Sequence, residues 1–235
     1  MPIVATIRSI QVGKPQSLGT PGAPDAFDRP WTSGIVKAQV AGPVHLGRIN
    51  LDGDAQADLE HHGGPDKAVC CYATAHYPAW QRELSLPDLA YGAFGENLSI
   101  AGVTESDLCI GDTFRIGPEA IVQISQPRQP CWKLARLWRI KDLVVQVQNT
   151  GRTGWYLRVL HEGTLAPGQS LDLVDRPHPD WSLDRANHLM HHDRSNRDEA
   201  AALAAVPALS ASWKKTLSNR AGGGSGSSES ARLGI

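Results

Sequence analysis

Up to about residue 175, apolar positions come in short alternating runs that stop at glycine or proline. ATIRSIQVG and IVKAQVAGPVHLG are rich in β-branched residues and end on turn signals, which predicts strands. LCIGDTFRIG and AIVQIS read as two strands joined across Gly117 and Pro118. GWYLRVLHEG and SLDLVDRP read as a second pair joined around Ala166, Pro167 and Gly168. Many short strands at this spacing favour a closed barrel or a sandwich over an alternating α/β sheet. Helical patterns interrupt them around AHYPAWQREL and at PCWKLARLWRI, while DLVVQVQNT suits either helix or strand because of its β-branched residues.

After Arg176 the pattern changes. WSLDRANHLMHHD, NRDEAAALAAV and PALSASWKKTLSNR each predict one short helix, and Asn196 with Glu199 resembles a capping box. The expected fold is mainly β: a barrel over 1–176 with peripheral helices, then a small three-helix extension over 177–220. Trp181, Leu189, Leu203 and Trp213 are the residues expected to pack those helices on the barrel or on a second copy. The end of the chain, 221–235, has linker composition and is expected to be disordered.

With 41% hydrophobic and 20% charged residues in 235, the chain can build a true core. Its formal charge of -1 argues against a general polyanion binder but leaves room for a local basic pocket. From Arg176 to Arg220 seven basic residues face five acidic ones, too slight an excess for a DNA-reading helix-turn-helix, so no nucleic-acid partner is expected. Arg8 interrupts the first apolar run, and no stretch of about 18 apolar residues occurs, so neither a secretory leader nor a membrane partner is expected, and the expected location is the cytoplasm. The cysteines, Cys70, Cys71, Cys109 and Cys131, lack C-x-x-C spacing and make a poor disulfide or zinc framework.

One of these thiols stands apart. In SQPRQPCWKL, Cys131 follows two prolines and opens an expected helix with Pro130 at its first position. The helix N-terminus, Arg128 and Lys133 would together favour the thiolate, which can attack an electrophile or ligate a soft metal. A buried space-filling thiol is the alternative. In DLEHHGGPDKAVC, the Gly63-Gly64-Pro65 turn with Lys67 suits an anion such as phosphate, or is a plain polar turn, while His61 and His62 would face opposite ways if extended. In AFGENLSIAG, Glu96 and Asn97 could present polar groups at a strand end, or Asn97 could simply form a turn. In GRTGW, Arg152 could reach phosphate or lie solvated in a turn.

Taken together, DGDAQADLEHHGGPDKAV at 52–69, FGENLS at 94–99, CIGDTFRIG at 109–117, QISQPRQPCWKL at 123–134 and GRTGWYLRV at 151–159 resemble, in order, the MOSC family, named for the C-terminal domain of molybdenum cofactor sulfurase. The similarity is greatest to its YiiM-type branch, whose α-helical extension the three C-terminal helices match. The resemblance implies a MOSC-type β-barrel that binds molybdenum as a molybdopterin cofactor, with Cys131 ligating the metal. Asn97, His62, Lys67, Arg128 and Arg152 are then the candidates for holding the cofactor, and His62 and Glu96 the candidates for proton donor. It further implies two-electron reduction of small N-hydroxylated substrates, including purine base analogues. Electrons come from a flavoprotein reductase, with no pyridine nucleotide or flavin bound directly. A homodimer is compatible with this reading. Its rivals are a sulfur-transfer module carrying a persulfide on Cys131, and a hydrolase or transferase with Cys131 as nucleophile and a histidine as base.

Overall fold

The computed structural model describes residues 5–224 and 230–233. In chain order its strands are β1 (Ala5–Val12), β2 (Gln16–Leu18), β3 (Trp31–Ser33), β4 (Ala38–Val40), β5 (Val44–Leu46), β6 (Val69–Ala73), β7 (Leu98–Ala101), β8 (Thr113–Ile116), β9 (Ala120–Pro127), β10 (Trp155–His161), β11 (Gly163–Leu165) and β12 (Ser170–Asp175). The helices are α1 (Tyr77–Glu83), α2 (Trp132–Trp138), α3 (Leu143–Thr150), α4 (Leu183–His191), α5 (Arg197–Ala204), α6 (Ala211–Ala221) and α7 (Ser230–Leu233).

β1 is the seam of the barrel. Ala5 and Thr6 pair with β12, Thr6 to Ile10 with β7, and Ile10 to Val12 with β4, with the register shifting between Ile7 and Ser9. The ladder β12-β8-β9-β10-β6-β7-β1 returns to β12, so seven strands close on themselves and β4 is added at one edge of β1. Closure leaves no free sheet edge in the ring. Pairings are antiparallel except β6 with β7, which run parallel because the chain between them crosses over through α1. The mainly β, barrel-like expectation holds.

Closure also corrects the sequence reading in detail. β10 and β12 are not a pair: β8 and β9 lie between them in the ring, and β11 turns away to pair with β5. IVKAQVAGPVHLG divides into β4 and β5, which belong to different sheets. DLVVQVQNT is helical, since Leu143, Val144 and Val147 then share one buried face. Asn196 caps α5 by accepting from Glu199 N–H at 3.1 Å, but the Glu199 carboxylate pairs with Arg185 and the box is only half made. No described helix is long and apolar enough to cross a membrane.

Two apolar clusters meet at β6. Val69, Cys71 and Ala73 point into the barrel core, whereas Tyr72 joins an outer cluster with Trp80, Phe94, Leu134 and Val147. There the Tyr72 and Phe94 rings stack at 4.4 Å. Trp181, Leu189, Leu203, Trp213 and Leu217 of the C-terminal helices share one cluster with the barrel core. Of the tail expected to be disordered, 225–229 and 234–235 lie outside the described residues. Ala221 ends α6, and Arg232 of α7 donates to Pro130 O at 2.6 Å and Gln148 Oε1 at 2.5 Å.

Gly154, just before β10, has φ +74°, and a Cβ there would collide with the Cys71 carbonyl oxygen. Gly154→Ala is therefore expected to lower stability by about 3 kcal/mol, read from urea unfolding, with the change in midpoint rather than slope.

Candidate active site

Alternation along β6 and β10 places the site. Because Val69, Cys71, Trp155 and Leu157 fill the barrel, Cys70 and Tyr156, paired across the ladder, face outward. Outside them the segments around Ser33 to Lys37, Ala55 to Lys67, Phe94 to Asn97 and Arg128 to Lys133 enclose a cleft of about 630 Å³ including its open mouth. Cys131, His62, Lys67, Arg128 and Asn97 all line it; Glu96 and Arg152 do not.

Cys131 is the N-cap residue of α2, in extended conformation, and of the four free cysteines it alone is not buried. The helix begins two residues later than expected, at Trp132 rather than Pro130, so Pro130 precedes the cap. Its carbonyl accepts from Leu134 N–H at 3.0 Å, and its thiol makes no capping bond. The helix has only seven residues, so the electropositive setting rests on side chains.

Foremost among them is Arg128. It is 6% exposed, its backbone N–H donates to Gly154 O at 2.9 Å, and its Nη1 is buried without a hydrogen-bond partner. Burial opposes its charge, yet the facing Cys70, Tyr156 and Cys131 keep its pKa above the usual arginine value. Burial pushes the Cys70 thiol up to about 11 and raises the Tyr156 phenol too, so neither is ionised at neutral pH to neutralise the guanidinium. A buried cation without a counter-charge is costly, and a bound anion would relieve it.

His62 is held down at about 4, first by burial and then by Lys133, Arg128 and Lys67, with Asp58 opposing. It is therefore neutral at pH 7 and not a cationic acid. Residues 58–64 turn rather than extend, leaving His61 exposed against Asp58 while His62 faces the cleft. Burial lowers the Lys67 pKa, against Asp66 and Asp58, and its Nζ donates to His61 O at 2.6 Å. Within this turn His62 N–H bonds Asp58 O and Lys67 N–H bonds Gly64 O, both at 3.0 Å.

Two sequence expectations, for Glu96 and Arg152, are corrected, and Asn97, which lines the cleft, also serves the scaffold. The Asn97 amide accepts from Cys70 N–H at 3.0 Å and donates to Gln11 O at 3.2 Å, so it clips the barrel together at the cleft floor. Glu96 is fully buried and accepts from Tyr77 Oη, Gly92 N, Phe94 N and Ser99 Oγ at 2.5 to 3.2 Å, which fixes the turn before β7 and leaves it no access to substrate. Arg152 pairs with Glu83 at 2.8 Å and lies 4.8 Å above the Trp80 ring, behind the cleft wall. Sequence reasoning missed Lys37 and Tyr156. Lys37, ion-paired with the buried Asp54, interrupts an apolar run, and Tyr156 follows from alternation in GWYLRV; both signals were present.

Comparison with known proteins agrees with this architecture. The MOSC domain model matches residues 58–172 and the YiiM-like, 3-alpha helix domain model matches 181–220. The chain is 40% identical over 203 residues to Protein YiiM of Escherichia coli (strain K12), covering 85% of this chain and 89% of that protein. It is 38% identical over 154 residues to a Gibberella moniliformis protein named Reductase, covering 65% of this chain but 27% of that protein. The crystal structure of YiiM from Geobacillus stearothermophilus superposes with a TM-score of 0.76 at 40% identity, covering 92% of this chain and 99% of that one.

Two measurements check the site's electrostatics and scaffold. A histidine that stays neutral when folded contributes stability that is full above its unfolded pKa, about 6.5, and is lost as pH falls through its folded pKa. With His62 at about 4, His62→Gln is expected to remove roughly 3 kcal/mol of the stability lost between pH 6.5 and 4, read by urea unfolding at each pH. Glu96→Ala leaves four donors without an acceptor and is expected to cost about 3 kcal/mol or more, whereas Glu96→Gln, which keeps an acceptor, costs less.

Proposed function

The chain belongs to the YiiM-type branch of the MOSC domain family, and on that premise we propose that its cleft binds a molybdenum cofactor and that the protein reduces N-hydroxylated compounds, such as N-hydroxylated purine base analogues. The observation that carries this reading is the pairing of the one accessible thiol, Cys131, with a buried arginine, Arg128, whose Nη1 has no partner. A thiolate suits a soft metal, and a desolvated guanidinium suits the phosphate of a pterin. The family and the fungal relative's name support an oxidoreductase in general; the N-hydroxy substrate is our inference.

Cys131 would ligate the metal, while Arg128, Lys67 and Lys133 would hold the anionic part of the group. When bound, the cofactor supplies two-electron redox chemistry at molybdenum. Converting N–OH to N–H with release of water consumes two electrons and two protons, and a flavoprotein reductase is the proposed electron source. Of the proton-donor candidates only His62 lines the cleft. An anion beside it would offset the repulsion from Lys133 and Arg128 and raise its pKa toward the working range. Tyr156, which keeps its proton and hydrogen-bonds Arg128, is the second group in the cleft able to donate.

Protein made in a cofactor-competent host is expected to carry molybdenum and to reduce N-hydroxylaminopurine when a flavoprotein reductase is supplied. Cys131→Ser should abolish turnover with the thermal midpoint retained. Arg128→Met should weaken cofactor binding by roughly 10- to 100-fold, the worth of a charged hydrogen bond. Turnover that survives Cys131→Ser would overturn the reading, and metal-free protein with persulfide mass on Cys131 would replace it with sulfur transfer.

A further inference from the structure

The first residues of α6 touch both chain segments that carry the cleft's charged groups. Ser210 N–H donates to Ser125 O at 2.9 Å, Ser212 Oγ donates to Gln126 Oε1 at 3.2 Å, and Ala211 N–H donates to Asp66 Oδ2 at 3.0 Å. Ser125 and Gln126 lie at the end of β9, from which the chain runs directly into Arg128 and Cys131. Asp66 lies beside Lys67 and four residues after His62, in the opposite wall.

Asp66 is the point where these connections converge. Its Oδ1 meets Arg158 Nη2 at 2.8 Å, and its backbone carbonyl accepts from Ser125 Oγ at 2.5 Å. Arg158 donates in turn to Gln123 Oε1 at 3.1 Å, so β9, β10, α6 and the Lys67 loop are joined through one carboxylate. α6 does not need Asp66 as its cap, because Ser210 already accepts from Trp213 N–H at 3.3 Å. The helix itself is fixed to the barrel by Trp213 and Leu217, both buried in its core cluster.

We propose that the three C-terminal helices hold the two walls of the cleft in register, and that Asp66 is the positioning residue through which they act on the Lys67 and His62 wall. The extension is then part of the site, although it contributes no side chain to its lining. A loop of glycines and proline, 63–65, with little apolar anchorage of its own, requires such an external tether. This stands apart from the cofactor reading, since it concerns the ligand-free cleft and can be tested without turnover.

The test uses the full chain as Asp66→Ala, Asp66→Asn and Ser212→Ala. The readouts are amide hydrogen exchange by residue and the rate of Cys131 alkylation by iodoacetamide, followed by mass. In Asp66→Ala, amides of 60–67 and 127–131 are expected to exchange at least about tenfold faster, and Cys131 to alkylate several-fold faster, while β8 amides keep their protection. Asp66→Asn, which retains an acceptor for Ala211 N–H but not the Arg158 ion pair, should recover part of both effects. Unchanged local exchange and alkylation in folded Asp66→Ala would overturn the proposal, as would acceleration spread evenly over the barrel. If Asp66→Ala does not fold, the same two outcomes are read from Asp66→Asn and Ser212→Ala.

Discussion

Strand β6 has no solvent face, and the rest of the molecule is arranged around that constraint. All five of its residues are buried, one side against the barrel core and the other against the aromatic cluster and the cleft. A strand covered on both sides suits the parallel pairing with β7, which in turn requires the α1 crossover and the aromatic residues that cover it. Where that outer cover stops, at Cys70, the cleft begins.

Polar satisfaction decides which of the polar groups in the motif blocks are scaffold and which are free to act. Glu96 and Arg152 meet their partners within the protein, in a buried turn and in an ion pair with Glu83, while Asn97 clips strands at the cleft floor. Arg128 is the contrast: it is buried, yet one guanidinium nitrogen is unmatched, and the Cys70 thiol and Tyr156 phenol beside it keep their protons. A protein interior rarely leaves such a group alone unless something else completes it. With Lys67 and Lys133, Arg128 makes the cleft lining basic.

The same accounting changes the meaning of the C-terminal helices. Their apolar faces continue the barrel core, and the polar start of α6 grips the segments on either side of the cleft. A barrel alone would present Cys131 and Lys67 on two loops with independent freedom. Asp66 ties the Lys67 loop to β9, β10 and α6.

Alternation, β-branching and turn residues in the chain determined the barrel class, most of its strands and all three C-terminal helices, because these depend on neighbours in sequence. Ordered motif blocks likewise determined the family and singled out Cys131. Strand partners were decided only on closure, since the pairing of β12 with β8 and β1 depends on residues more than fifty positions away. Side-chain roles were decided there too: FGENLS and GRTGW advertise Glu96 and Arg152, but whether a carboxylate or guanidinium is free depends on which donors and acceptors the fold brings to it. Sequence names the polar groups, and three-dimensional packing determines which of them are left unsatisfied, because hydrogen-bond satisfaction is a property of contacts between distant segments.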